Sequence, residues 1–491
     1  MRHKARQQVM LAKVGWGRVR VVRSKIKILC LALLLLCFSV PGYAMSTLLP
    51  GAHTVNVIEY DDLTTNNPAI GALSEARRVA LGENDWSSGK PVRPEWYKPK
   101  LKIPGREVTG YFEDCYFLIR IPQNWNGRLV VVGAPGFGDA RSTDAVISDY
   151  VLTKVDEQGG SYAYAVCDKG TTGEQIPAPD GKIYPWAKAM NALSSQEDSL
   201  EEWNLRLHQL TVAAKSLLKS WKGKEPVYTY LWGYSNGGYI ARYAIEQDSA
   251  LYDGMLDWEG VLWRAREENL ISSLTTAVNS WEILKQSQVD PLRRQQAIAA
   301  LERLGLPIES EFLWPLHGTA YWLPTLNLHR MKYDPEYLTR NWWEFLSHPE
   351  DYQHYDWLAR PEFIKDRIAR FENNGNIQKP VITVHGTWDS LLFANVHAKA
   401  YERLVKSQGK EALYRLYMVE QGNHFEGLVN KPGVDSEHKL QPLMPYVHQS
   451  FDVLVNWVEK GIPAPASMTL PVPANKDKAI DLWTGYEIDK Y

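Results

Sequence analysis

The chain has 491 residues, 45% of them hydrophobic and 23% charged, with a formal net charge of −2. That balance excludes a disordered or low-complexity protein and leaves enough length for one large domain with a sizeable insertion. Residues 1–27 carry nine Lys or Arg and no acid. Removing a leader through Ala44 would take the charge to −11, which argues against nucleic acid as a partner.

The leader has three parts: a basic segment, the apolar run Ile28 to Val40, and the small residues of Gly42-Tyr43-Ala44. The apolar run is shorter than the ~20 residues that cross a bilayer. The expectation is a signal peptide over 1–44, with Met10 an alternative start, and an exported protein, periplasmic or extracellular, with no stable membrane span. Leu36 before Cys37 speaks against a lipoprotein signal. Cys115 and Cys167 remain after processing, and both one disulfide and two buried thiols fit them.

Residues 45–110 are rich in Pro, Gly, Asn and Asp without a sustained period, and read as an N-terminal extension lying over the main domain. Tyr116 to Ile121 and Arg128 to Gly133 are strand-like, and Asn126-Gly127 between them signals a hairpin. Ala163 to Val166 reads as another strand. Trp203, Leu207, Leu210, Ala214, Leu217 and Trp221 form one helical stripe.

The strand Val227 to Trp232 runs into Gly233-Tyr-Ser235-Asn-Gly237, followed by a helix-compatible stretch, Gly238 to Gln247. This alternation predicts a mostly parallel sheet covered on both faces, an α/β core that starts over 111–253. From 254 to 376 helical periods dominate with no convincing strand, which predicts an inserted helical cap. The alternation resumes over 377–462 with Val381 to Val384, a helix from Leu391 to Ser407, the strand Leu413 to Val419 and a helix near Gln449 to Lys460. Residues 463–491 read as an extended tail.

Strand, GxSxG and helix together describe a nucleophile elbow that lifts the Ser235 hydroxyl above the sheet edge. A serine needs a histidine base, and the histidine needs a carboxylate that fixes its tautomer. Asp389 follows the strand Val381 to Val384, and His424 follows Leu413 to Val419, in the chain order such a sheet requires. His397 lies inside a helix-compatible run, while His438 and His448 lie far from a strand end. The expected triad is therefore Ser235, Asp389 and His424. Amide donors for the developing oxyanion are expected from Asn236 and from Gly136 or Phe137 in the loop Gly133 to Gly138, because Pro135 has no N–H.

The same loop, with Tyr150 and Lys154 as a YxxxK pattern, invites a dinucleotide reading. The glycine order is not GxGxxG and no acid closes a following strand, so no cofactor is expected. No metal is expected either, since His, Cys and acidic residues do not cluster at ligand spacing along the chain.

These residues resemble the α/β-hydrolase superfamily from about Tyr111 to Gly461. Within it, Pro122-Gln-Asn-Trp-Asn-Gly127, the loops Gly133 to Gly138 and Asp168 to Gly173, and Leu454 to Gly461 resemble tannase and feruloyl-esterase-like enzymes, with secreted hydroxyalkanoate-oligomer hydrolases comparable. The resemblance implies ester hydrolysis through an acyl-enzyme. It also implies a disulfide between cysteines beside the nucleophile and the histidine, where this chain has Tyr234 and Asn423. The expected substrate is a small-molecule or oligomeric ester of aromatic or hydroxyacid type. A peptidase on the same fold and a non-catalytic binding protein are the alternatives. Eight of the 19 tryptophans fall between Tyr252 and Arg360, and that density predicts an aromatic pocket roof.

Overall fold

The computed structural model describes residues 48–73, 99–136, 140–171, 199–338, 344 and 347–490, all within one compact unit, Val40–Tyr491. The leader, Phe137, Trp342 and Trp343 lie outside the described residues. No helix among the described residues is long and apolar enough to cross a membrane.

The architecture is a ten-stranded sheet: β1 (Ala52–Tyr60), β2 (Gly105–Phe112), β3 (Cys115–Pro122), β4 (Trp125–Gly133), β5 (Ser161–Cys167), β6 (Tyr228–Tyr234), β7 (Gly254–Trp258), β8 (Val381–Gly386), β9 (Tyr414–Val419) and β10 (Met468–Leu470). Their spatial order is β1-β2-β3-β5-β4-β6-β7-β8-β9-β10. From β5 to β10 every neighbouring pair is parallel, and β1, β2 and β3 add antiparallel strands at one edge. Strand β4 shows how the layers form, since Leu129 and Val131 enter one apolar cluster and Val130 and Val132 the other. Side chains alternate across a strand, so a wholly apolar run buries both faces.

The first cluster is covered by α1 (Leu200–Lys222) and α2 (Asn236–Gln247), and the second by a later helix, Met444–Lys460. In α1 the predicted stripe from Trp203 to Leu217 is buried. Its ends follow from capping: Ser199 accepts the Glu202 amide at 3.4 Å, and Gly223 closes the helix at φ +74°.

Four expectations are corrected. Residues 45–110 are no mere overlay, because they supply β1 and β2 to the sheet. The Asn126-Gly127 step does not make a hairpin: β5 lies between β3 and β4, and Gly127 at φ +89° sits within the start of β4. The stretch 254–376 opens with a fully buried parallel strand, β7. Asp257 in the middle of β7 disguises it in the sequence, and Arg242 of α2 neutralises that charge at 2.5 Å. The helix expected from Leu391 begins only at Ala398, with a loop ahead of it. Beyond β7 the insertion is helical in its described part, with α3 (Leu270–Leu284), α4 (Pro291–Leu304), α5 (Leu323–Tyr333) and α6 (Glu362–Ala369). After α7 (Ala398–Ser407) and β9, the helix Met444–Lys460 is α8. The tail contributes β10 alongside β9.

Candidate active site

The elbow is a strained turn with close backbone packing. Ser235 has φ +58° and ψ −120°, a conformation an L-residue adopts only when its surroundings impose it. Its N–H still donates to the Trp258 carbonyl at 2.9 Å, and its own carbonyl accepts from Gly238 at 2.9 Å and Val261 at 3.2 Å. A Cβ at Gly237 would stand 1.8 Å from the Gly133 carbonyl oxygen, and one at Gly238 would stand 2.4 Å from Gly260 Cα. Glycine at both positions lets α2 start directly against β4 and the end of β7.

Asp389 and His424, 35 residues apart, meet across the ends of β8 and β9. His424 Nδ1 donates to Asp389 Oδ2 at 2.9 Å, and Asp389 Oδ1 accepts the amides of Leu391 and Leu392 at 2.8 and 2.9 Å. Burial pushes the Asp389 carboxyl up, but the His424 charge and these hydrogen bonds outweigh it and hold it at about 2. The other late histidines are engaged elsewhere. His397 Nδ1 accepts the Leu262 amide, His438 is exposed and bonded to Asn430, and His448 stacks on Tyr150 at 3.8 Å.

Tyr234 links the elbow to the His424 loop. Its hydroxyl donates to the His424 carbonyl at 2.8 Å, and its ring stacks on Trp258 at 4.2 Å and on the His424 ring at 5.4 Å. Asn423 donates its side-chain amide to Trp388 O at 2.8 Å and Ser390 Oγ at 3.0 Å. Thus, at the two positions where the resembling family implies a disulfide, Tyr234 ties the elbow to the histidine loop and Asn423 ties the histidine loop to the Asp389 loop. Cys115 and Cys167 are buried free thiols.

Asn236 opens α2 and is buried, and Gly136 has φ +52° at the end of the β4 loop. Phe137, the other expected donor, lies outside the described residues. Lys169, buried after β5, donates Nζ to Ala134 O at 2.9 Å and so holds that loop; burial lowers its amine to about 8. Tyr150 and Lys154 both bond to Asp452, which occupies the YxxxK pair structurally.

In the sequence, Glu259 reads with Asp257, Arg264 and Arg266 as a charged cluster that orients a polar substrate or faces solvent; it follows β7 and stands, buried, with Oε2 3.4 Å from His424 Nδ1. Glu259, Asp389 and His424 form a group whose ligand-capable atoms all lie within 4.8 Å. Linear spacing hid this convergence, because the three come from three strand ends. The tryptophan roof is also corrected: Trp258, Trp263, Trp314, Trp322 and Trp357 are under 2% exposed. Trp314 and Trp357 donate their indole N–H groups to Ser310 Oγ and Ala265 O, within the insertion itself, and Trp322 donates to Ser390 O. Trp322 and His317, whose Nδ1 lies 2.5 Å from Ser390 Oγ, fasten the insertion to the loop carrying Asp389.

Two family models match separate parts of the chain, each reaching into one end of the insertion. "Tannase and feruloyl esterase" matches residues 108–264, which contain Gly136 and Ser235. "3HB-oligomer hydrolase" matches residues 350–480, which contain Asp389 and His424. The parallel sheet with its flanking helices is an α/β-hydrolase fold. Among curated relatives, the chain is 28% identical over 116 residues to D-(-)-3-hydroxybutyrate oligomer hydrolases of Burkholderia mallei and Burkholderia pseudomallei. That match spans 23% of this chain and 16% of those relatives. Among solved structures it is similar to tannin acyl hydrolase from Aspergillus niger, with TM-score 0.48, 14% identity and coverage of 91% and 90% of the two chains. Feruloyl esterase B from Aspergillus oryzae gives TM-score 0.45 and 13% identity, over 89% and 90%.

Proposed function

We propose that the chain hydrolyses carboxylic esters of aromatic or hydroxyacid type through an acyl-enzyme. Ser235 attacks the ester carbonyl, His424 takes its proton and later activates water, and Asp389 fixes the histidine tautomer. The Asn236 amide and an amide at Gly136 or Phe137 receive the oxyanion. The observation that carries the reading is the 2.9 Å bond from His424 Nδ1 to Asp389, with that histidine tied by Tyr234 to the strained turn bearing Ser235. Fixing Nδ1 in this way leaves Nε2 to act as the base.

The substrate class draws on the two family descriptions, one naming feruloyl esterase and the other 3HB-oligomer hydrolase. The basic, apolar and small-residue segments of 1–44 support export. A panel of aryl, acyl and hydroxybutyrate esters with peptide amides, run on the wild type and Ser235→Ala, tests the activity. Ester turnover that disappears in the variant supports the reading, and unchanged turnover overturns it. The N-terminal sequence of protein recovered outside the cytoplasm tests export.

A further inference from the structure

Two carboxyl groups face one imidazole at the centre of the site. Both Glu259 and Asp389 side chains have no solvent exposure, and both approach His424 Nδ1, at 3.4 and 2.9 Å. Buried carboxylates this close cannot both ionise beside a single cation without a large electrostatic cost. The hydrogen bonds decide which keeps the proton. Asp389 receives two backbone amides and the His424 N–H, whereas among the described residues Glu259 receives the Gly386 amide alone, on Oε1 at 3.1 Å. Glu259 Oε2 is enclosed and, among the described residues, has no hydrogen-bond donor.

The backbone holds Glu259 in place. Its φ is +48°, unusual for a residue with a side chain, and its N–H donates to the Val384 carbonyl at 2.9 Å. The next residue, Gly260, packs against Gly238 at the start of α2. A strained, fully buried acid aimed at the base is costly to the fold and calls for a role.

We propose that Glu259 is a positioning residue that carries the proton shared by the two carboxyls and donates its hydroxyl to Asp389, so that His424 always faces a single negative charge. This inference rests on the triad reading of Ser235, Asp389 and His424. In that state Asp389 cannot rotate away from Nδ1, and the imidazolium formed during attack is stabilised by one anion. A second anion would hold the proton too tightly for its return to the leaving group. Burial first, and then the Asp389 charge, push the Glu259 carboxyl well above the ordinary range, in accord with this assignment. The titratable groups around the pair are His385 and Asp389 from the β8 side, His424 and half-buried Glu426 from the β9 side, His317 and Tyr321 from the insertion, and His397 ahead of α7.

The test compares Glu259→Gln, Glu259→Ala and Asp389→Asn by ester kinetics across pH and by infrared spectroscopy of the carboxyl groups at neutral pH. Glutamine reproduces a neutral donor, so kcat/KM should stay within about threefold of wild type with the acid limb of its pH profile in place. Alanine should lower kcat by about tenfold or more with KM within about twofold. The wild type should show a protonated-carboxyl band that Glu259→Gln removes and that Asp389→Asn also removes, because Glu259 then becomes the anion.

A Gln variant as damaged as Ala, with its acid limb moved, would mean that Glu259 is ionised and would overturn the proposal. So would an unaffected Ala variant, or loss of turnover on chelation with recovery on adding Zn²⁺. If Ser235→Ala keeps its turnover, the triad reading fails. The infrared band still reports the proton's location in that case, so the two failures are distinguishable.

Discussion

Two clusters of buried charge in this molecule are built on opposite principles. Beneath β2 and β3, Arg120 donates to Asp144 at 2.7 and 2.9 Å and to Glu107 at 2.9 Å, while Arg141 reaches Glu107 at 2.5 Å. Two guanidinium groups meet two carboxylates there. Burial raises the Glu107 carboxyl, but the two arginines bring it below its ordinary range. Asp149 next to them accepts the Thr65 amide at 2.9 Å, and burial pushes its carboxyl up to about 7. At the ends of β7, β8 and β9, two carboxyls share one histidine. Matched charge holds strands together, and unmatched charge leaves a proton that a reaction can use.

Disturbing the unmatched cluster should remove chemistry while sparing the fold. Asp389→Asn is expected to lower kcat by up to about 10⁴-fold, because His424 Nδ1 loses its 2.9 Å carboxylate partner and Glu259 stands farther off, at 3.4 Å, with Tm moving by less than about 4 °C. The reverse split is expected at the matched cluster. Arg120→Ala leaves Glu107 and Asp144 short of counter-charge and should cost about 3–5 kcal/mol in urea unfolding, with kcat/KM per folded molecule retained.

Tyr234→Phe sharpens the contrast, since it removes a single bond between elbow and base. A loss of about 1 kcal/mol would appear as a roughly fivefold fall in kcat, and reductant should change neither protein because Tyr234 and Asn423 occupy the positions of the implied disulfide. A further contrast concerns pH. Asp149 has a folded pKa raised above its ordinary 3.8, so the native state binds the proton more tightly, and its contribution to stability falls as pH rises from about 4 to about 7. The urea midpoint of Asp149→Asn should lose that part of the difference between pH 5 and pH 8.

The legible parts of the fold were those whose physics is local. The run Leu129 to Val132 buries both faces and announces a parallel strand, and the α1 stripe announces its helix. Asp389 and His424 were legible because a strand end precedes each. Glu259 was not, since β7 has five residues with an aspartate among them, and its charge partner Arg242 comes from another element. The Asn126-Gly127 turn misled because local turn chemistry carries no information about β5, which inserts between its flanking strands. The tryptophans misled because density in sequence does not distinguish a pocket lining from a packed interior.

The central claim is that Ser235 is the nucleophile of ester hydrolysis, and an aryl phosphonate ester that traps activated serines tests it most directly. Peptide mass mapping of the treated wild type should place one adduct on Ser235, with Ser235→Ala unlabelled and inactive on esters. An adduct on another residue, or a Ser235→Ala protein that still turns over esters at the wild-type rate, would contradict the account.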